Sequence, residues 1–278
     1  MGLLDGKVAF ITGAARGQGR SHALRLAQEG ADIIAVDHVA DMATVGYPQA
    51  SQADLDETVR LVEALDRRII ASKADVRDTA ALTAAIDDGV AQLGRLDIVL
   101  ANAGIASFAP LEELTDDMWD EMIGVNLTGV FKTVRAAVPH LKAGGRGGAI
   151  VLTSSTAGIK GMANLAHYVA AKHGVVGLVK TFANELAPHM IRVNSVHPTS
   201  VDTDMIHNEQ TYGVFYPDKP GSEVTREEAG SAFQTLNALP IPWVEAVDIS
   251  NAILFLVSDA ARYITGVQLP IDAGSVVK

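Results

Sequence analysis

Short runs rich in Val and Ile recur at residues 8–11, 32–36, 68–72, 97–101, 149–153, 191–196 and 267–271, and amphipathic segments fill the intervals between them. These seven runs read as strands. A strand that is apolar throughout, rather than at alternate positions, is covered on both faces, and strands that alternate with helices pair in parallel. The pattern therefore predicts an α/β fold built on a doubly wound parallel sheet with helices on both faces. No internal repeat, low-complexity tract or linker interrupts it, so residues 1–278 are expected to form one domain.

Two segments break the rhythm. Residues 38–50 are polar and aperiodic and include Gly46-Tyr47-Pro48, where a strand-to-helix connection ordinarily takes about 2–6 residues. A helix resumes near Ser51, which with Asp54 resembles a capping box, and Leu55, Val59, Val62 and Leu65 then share one face. The excess thus lies in an inserted loop. Residues 199–244 hold five of the fourteen aromatic side chains, Tyr212, Phe215, Tyr216, Phe233 and Trp243, a concentration that predicts an apolar lid over a substrate.

Composition narrows the function classes. With 278 residues the chain needs no covalent staple: surface scaling gives roughly 11,000 Å² exposed when folded, about a quarter of the extended chain. The absence of cysteine excludes disulfides, thiolate metal sites and cysteine nucleophiles. A net charge of −11 with no Lys/Arg run argues against a nucleic-acid or anionic-membrane surface. No apolar stretch reaches the roughly 18 residues of a membrane span. Met1 to Gly6 has neither the apolar core of a signal peptide nor a Ser or Thr at position 6 for myristoylation, and a cytoplasmic location is expected.

Three motifs carry chemistry. The first strand runs into Gly13-Ala14-Ala15-Arg16-Gly17-Gln18-Gly19 and then a helix through Ala23, Leu24, Leu26 and Ala27. Glycines permit a tight turn and close backbone approach, and the free N–H groups of a helix start attract pyrophosphate, so this segment reads as a dinucleotide site. Its spacing, G-x-x-x-G-x-G, departs from the commoner G-x-G-x-x-G, and the bland alternative is a turn that merely lets strand and helix pack. Asp37, 18 residues beyond Gly19, ends the second strand, where a carboxylate can accept from adenosine ribose hydroxyls. That favours NAD over NADP, although Arg16 could partly offset the negative charge; alternatively Asp37 is a solvated strand end. Tyr168 and Lys172, four apart, share a helix face, with Ser155 13 residues upstream at a strand end. An ammonium beside a phenol should lower its pKa toward the range of a general base, and Ser155 could polarise a substrate oxygen.

Together these residues resemble the short-chain dehydrogenase/reductase family, and the likeness covers essentially the whole chain. The glycine loop, Asp75 after the third strand, Asn102-Ala103-Gly104 after the fourth, Asn126, Ser155, Tyr168 and Lys172 follow in the family's order. The resemblance implies a Rossmann-type fold and an NAD-dependent enzyme that interconverts a secondary alcohol and a ketone. It implies that Asp75 and Val76 contact adenine, that Asn102 supports sheet and cofactor, and that Asn126 holds a water relaying protons to Lys172. Pro198-Thr199-Ser200-Val201-Asp202-Thr203 is similar to the family segment in which Pro198, Val201 and Thr203 would face the nicotinamide, except that Thr199 replaces the usual Gly. The inserted loop, the run Gly17 to His22, and His197-Pro198-Thr199 resemble a narrower group of mycofactocin-coupled, carveol dehydrogenase-like enzymes. That likeness implies tightly held NAD reoxidised by an external electron carrier and a cyclic or terpenoid alcohol as substrate.

The rivals are an ordinary dehydrogenase with exchangeable NAD and a non-catalytic dinucleotide sensor, the latter having no use for Ser155, Tyr168 and Lys172 at this spacing. The helical stretches around residues 125–138 and 175–186 are apolar on more than one face, which burial within the monomer explains in part; the family resemblance implies that they also pair between subunits of a homotetramer. No metal site is expected, since His167 with His173, and Asp202 and Asp204 with His207, lack persuasive ligand spacing. Met162 and Met205 are candidates for the substrate pocket or for gap-filling.

Overall fold

The computed structural model describes residues 2–278 and contains the seven predicted strands, each shifted by no more than two residues. They are β1 (Val8–Thr12), β2 (Asp32–Asp37), β3 (Ile69–Lys73), β4 (Ile98–Ala101), β5 (Gly148–Thr153), β6 (Ile191–Pro198) and β7 (Gln268–Ile271). All pair in parallel, in the order β3-β2-β1-β4-β5-β6-β7. Order reverses between β1 and β4, and the connections leaving these two strands turn away from each other. That divergence opens a crevice at their carboxyl ends.

Side chains alternate across each strand, so one sheet feeds two cores. Phe10, Ile34, Val36, Val99, Ile150 and Leu152 point into one, against α3 (Thr79–Leu93), α4 (Asp116–Ile123), α5 (Val130–Gly144) and α6 (Ala166–Leu186). Ala9, Ile11, Ile33, Ala35, Ile98 and Leu100 point into the other, against α1 (Gly17–Gln28), α2 (Gln52–Glu63) and α9 (Ala246–Val257). The exposed surface of 11652 Å² agrees with the scaling expectation. No helix among the described residues is long and apolar enough to cross a membrane.

The helix starts follow local chemistry. Ser51 caps α2 and exchanges side-chain and backbone bonds with Asp54, the predicted capping box. Leu55 and Val62 are buried on that helix, whereas Leu65 falls beyond its end and is exposed. Between α4 and α5 the chain takes a π-helical turn at Gly124–Gly129 that contains Asn126. Such turns widen a helix locally and are frequent at functional sites.

Residues 199–244 leave the sheet at a neck closed by a parallel bridge between Val201 and Val244. Beyond it lie α7 (Glu209–Phe215) and α8 (Arg226–Gln234), packed around a small core of Tyr212, Val224, Ala229 and Phe233. Thr199 has no left-handed backbone, so the Gly-to-Thr departure there carries no strain. Its hydroxyl donates to the Asn237 side chain at 3.1 Å, anchoring the neck.

One contact reports how tightly helix and sheet fit. A Cβ at Gly89 in α3 would lie 2.6 Å from the Ile34 side chain of β2. Gly89→Ala should therefore destabilise the fold by about 1–3 kcal/mol despite its better helix propensity. The check is the urea midpoint at unchanged slope; a neutral or stabilising result means that the α3 interface can yield.

Candidate active site

Two clefts sharing a wall open at the carboxyl ends of β1, β4, β5 and β6. The narrower, of about 150 Å³, gathers Gly13, Arg16, Gly17, Gln18, Gly19, Asp37, Asp75, Val76, Asn102, Ala103, Gly104 and Thr203. Backbone crowding dictates the glycines. A Cβ at Gly19 would sit 1.9 Å from the Gly13 carbonyl oxygen, and one at Gly13 would sit 2.8 Å from Ala103 Cα. Gly13 and Gly17 also take left-handed φ of 67° and 54°. The residue before α1, Arg16, gives the helix no side-chain cap, so its first N–H groups face the cleft free of one.

Asp37 closes the loop from the neighbouring strand: its Oδ2 accepts from Ala15 N at 2.9 Å and its Oδ1 from Val39 N at 3.2 Å. Asn102 stitches β4 to β1, its Nδ2 donating to the Thr12 carbonyl at 3.0 Å. Burial alone would raise the Asp75 carboxyl, but the forked Arg77 guanidinium, with Nη2 at 2.7 Å, holds it below the usual range. A cleft with a helix start at one end and a carboxylate beside it suits a dinucleotide.

Arg16 departs from the expectation that it could offset a phosphate near Asp37. Its guanidinium donates to the Pro48 carbonyl and pairs with Asp204 at 3.0 Å, so it is committed to both irregular segments. The loop 38–50 is anchored elsewhere too. Glu121 of α4 accepts from Thr44 N at 3.0 Å and pairs with Arg77 at 3.3 Å, while Tyr47 is buried in the cleft wall.

The wider cavity, about 560 Å³, has Ser155, Tyr168 and Lys172 on its polar side, with Pro198 and Val201 alongside. Lys172 is buried and donates to the Thr153 carbonyl at 2.9 Å, with Nζ 5.5 Å from the Tyr168 ring centre. A Cβ at Gly104 would lie 3.4 Å from Asn126 Oδ1 and 3.7 Å from Lys172 Nζ, so Asn126 and Lys172 flank the same glycine. Ser155 sits at the end of β5, where its hydroxyl caps a short 3₁₀ turn through Ala157 N at 3.1 Å.

Several expectations need correction. Burial pushes the Tyr168 phenol up to about 12, against a hydrogen bond with Ser155 that acts the other way. Desolvation outweighs any effect of the lysine on the phenol, and burial pushes Lys172 itself down to about 8. The Asn126 side chain braces Ile105, accepting from its N–H at 2.9 Å and donating to its carbonyl at 2.8 Å. Of the five aromatic residues in 199–244, only Phe215 and Phe233 line the cavity, together with Met162 and Met205. Tyr216 donates to the Glu228 carbonyl, and Trp243 packs edge-on with His207, so these brace the segment.

Sequence reasoning missed His197 as a support. It is buried, with Nδ1 2.8 Å from the Ser155 carbonyl and Nε2 2.9 Å from Ser195 Oγ, so it fixes the backbone of Ser155. A histidine buried near the carboxyl end of β6, where the sheet edge meets the site, was the available signal.

Residues 7–212 match the short chain dehydrogenase family. The chain is 58% identical over 279 residues to (-)-trans-carveol dehydrogenase of Rhodococcus erythropolis, all of both chains being covered. Among solved structures, carveol dehydrogenase from Mycobacterium avium in complex with NAD superposes with a TM-score of 0.98 at 56% identity, again over both whole chains. A short chain dehydrogenase from Mycobacterium paratuberculosis bound to NAD gives 0.92 at 46% identity, with both chains covered completely.

His22, behind the glycine loop on α1, supplies a test of the folded site. It is fully buried, with Nδ1 2.8 Å from Ser250 Oγ, and burial pushes it down to about 3 while Asn102 acts the other way. From its ordinary 6.5 downward the unfolded chain binds a proton that the folded chain refuses until about 3, so stability is lost as pH falls through that window. His167, His197 and His207 are also pushed down by burial and contribute with the same sign. Urea titrations at pH 7 and 4.5 should show a smaller loss for His22→Gln than for the parent; an identical loss means that His22 protonates freely in the fold.

Proposed function

The chain belongs to the short-chain dehydrogenase family, and on that premise we propose that it interconverts a cyclic or terpenoid-like secondary alcohol and its ketone with NAD as hydride carrier. The observation that carries this reading is the meeting of Ser155, Tyr168 and Lys172 on one side of an apolar cavity, next to the glycine-loop cleft. Cofactor fit rests on the crowded glycines, the uncapped start of α1, and Asp37, whose lone pairs exceed the two backbone N–H groups it already accepts. Its charge would repel the additional phosphate of NADP. Asp75, Val76, Asn102, Ala103, Gly104 and Thr203 complete the binding surface, with Pro198 and Val201 at the nicotinamide end.

NAD, when bound, would supply the hydride acceptor, and its oxidised form carries positive charge. Ser155 holds the alcohol oxygen, and Tyr168 takes the hydroxyl proton on oxidation and returns it on reduction. A phenol held at about 12 rests as the protonated donor that ketone reduction needs. Oxidation requires neighbouring positive charge to favour phenolate, which is the part of the ammonium of Lys172. Asn126 is a positioning residue that braces the Ile105 backbone next to Lys172. The mixed lining of Phe108, Met162, Leu165, Met205, Phe215 and Phe233 suits an apolar ring.

The loop 38–50 and the segment 199–244 act as covers of the two clefts. Their shared attachment to Arg16, and the anchoring of the loop on Glu121, support slow exchange of NAD, with electrons leaving through an external carrier. Freely exchanging NAD is the rival. A homotetramer is the proposed assembly, supported by the half-exposed Phe131 of α5 against Phe182 of α6, with ring centres 6.5 Å apart.

Tyr168→Phe removes one hydroxyl and keeps the ring. Turnover of a cyclic secondary alcohol should fall by about 10²–10⁴-fold while NAD affinity stays within about twofold, read by steady-state kinetics and calorimetry. Near-parental turnover would remove Tyr168 from the acid/base role.

Replacing residues 38–50 by a short turn should speed NAD release, followed by fluorescence, without altering the hydride step. The parent protein should retain nucleotide through desalting. Loss of nucleotide from the parent, or unchanged release from a folded variant, sinks the cover and leaves the Ser155, Tyr168, Lys172 assignment standing.

A further inference from the structure

The substrate cavity holds a cation that the hydride reaction does not use. Lys160 follows the 3₁₀ turn Thr156–Gly158 and lines the cavity opposite no acid: its walls contain Lys160 and Lys172 but neither Asp nor Glu. In a chain of net charge −11 this is the reverse of the overall balance. Lys172 is accounted for by Tyr168 and Thr153. Lys160 is not.

The Lys160 ammonium donates to the Ser275 carbonyl and, at 3.2 Å, to the Ser275 hydroxyl. It forms no ion pair among the described residues. An ammonium has three N–H donors, so one remains after both bonds to Ser275. Tethering the 272–277 turn does not explain a lysine here, because that turn is already closed. Asp272 accepts from Gly274 N at 3.1 Å and from Val276 N at 2.8 Å, and the Ala273 carbonyl accepts from Ala238 N and Leu239 N at 2.9 Å each. A half-buried cation in an apolar-walled cavity interacts with an opposite charge more strongly than it would at an open surface.

We propose that Lys160 is a specificity-determining residue that recognises a carboxylate carried by the substrate away from the reacting carbinol. The preferred substrate class is therefore an alicyclic hydroxy acid or keto acid, held by Tyr168 and Ser155 at one end and by Lys160 at the other. This rests on the oxidoreductase reading for the reacting end, while recognition of the carboxylate is measurable without turnover.

Calorimetry on the NAD-loaded protein with cyclohexanecarboxylate and with its methyl ester provides the test, since neither ligand can react. The parent should bind the carboxylate at least tenfold more tightly than the ester, and raising the salt concentration should shrink that gap. Lys160→Met should abolish the preference and Lys160→Arg should keep it. A lysine that served only as a tether would instead weaken both ligands together, and that result overturns the proposal, as does equal binding of the two ligands by the parent. Because the parent comparison needs no substitution, a Lys160→Met protein that fails to fold leaves the question answerable. Turnover of a neutral cyclic alcohol by the parent is read separately. Absence of turnover for both that alcohol and a hydroxycyclohexanecarboxylate, beside an intact carboxylate preference, removes the oxidoreductase reading alone.

Discussion

The site depends on how closely the backbone leaving β1 approaches the backbone leaving β4. Gly13 lies so near Ala103 that a single Cβ would have to intrude to 2.8 Å, and Gly19 lies nearer still to the Gly13 carbonyl. This approach brings the start of α1 over the crevice where strand order reverses, and Asn102 locks it by donating to the Thr12 carbonyl. Asp37 adds the third strand end through Ala15 N. Side chains could not perform this closure, because no room exists for them. The cleft is therefore a property of glycine positions before it is a property of any charged group.

Burial then sets the chemistry on the neighbouring side. Tyr168 and Lys172 enter a cavity whose walls are largely apolar, and desolvation moves both toward neutrality, the phenol up and the ammonium down. Their backbone supports are paired closely: Lys172 on Thr153, Ser154 Oγ on the Lys172 carbonyl at 3.0 Å, and His197 on the Ser155 carbonyl. Geometry is held by backbone carbonyls rather than carboxylates, so positive charge brought beside the phenol is not already cancelled. No Asp or Glu lines that cavity.

Most of the framework was legible because it rests on local periodicity and spacing. The seven apolar runs became seven strands, and the Ser51/Asp54 pair became a capping box, since both signals are confined to a few consecutive residues. The cleft likewise gathers the glycine loop, Asp37, Asp75 and Asn102-Ala103-Gly104, which all end or follow strands and so share one edge of the sheet. What stayed hidden was decided by partners distant in sequence. The bracing of the Ile105 backbone by the Asn126 side chain was not foreseen. Arg16 was read against a phosphate, but its partners lie in the two irregular segments. The direction of the Tyr168 shift followed from burial in a cavity walled by several elements, which a four-residue spacing cannot report.

Those partners of Arg16 also relate the two irregular segments to each other. One guanidinium at the foot of α1 reaches the Pro48 carbonyl on one side and Asp204, just past the Val201–Val244 bridge, on the other. A second contact runs alongside, because Gly46 packs against Gln210 of α7 so closely that a Cβ would come within 2.8 Å of its Oε1. Displacing either segment therefore breaks a bond to the same side chain, although with Asp204 68% exposed the ion pair itself contributes little. Insertion and aromatic segment, 150 residues apart in the chain, share one attachment at the glycine loop. A change in the position of either segment therefore alters the surroundings of the same guanidinium, beside the glycine loop that both clefts border.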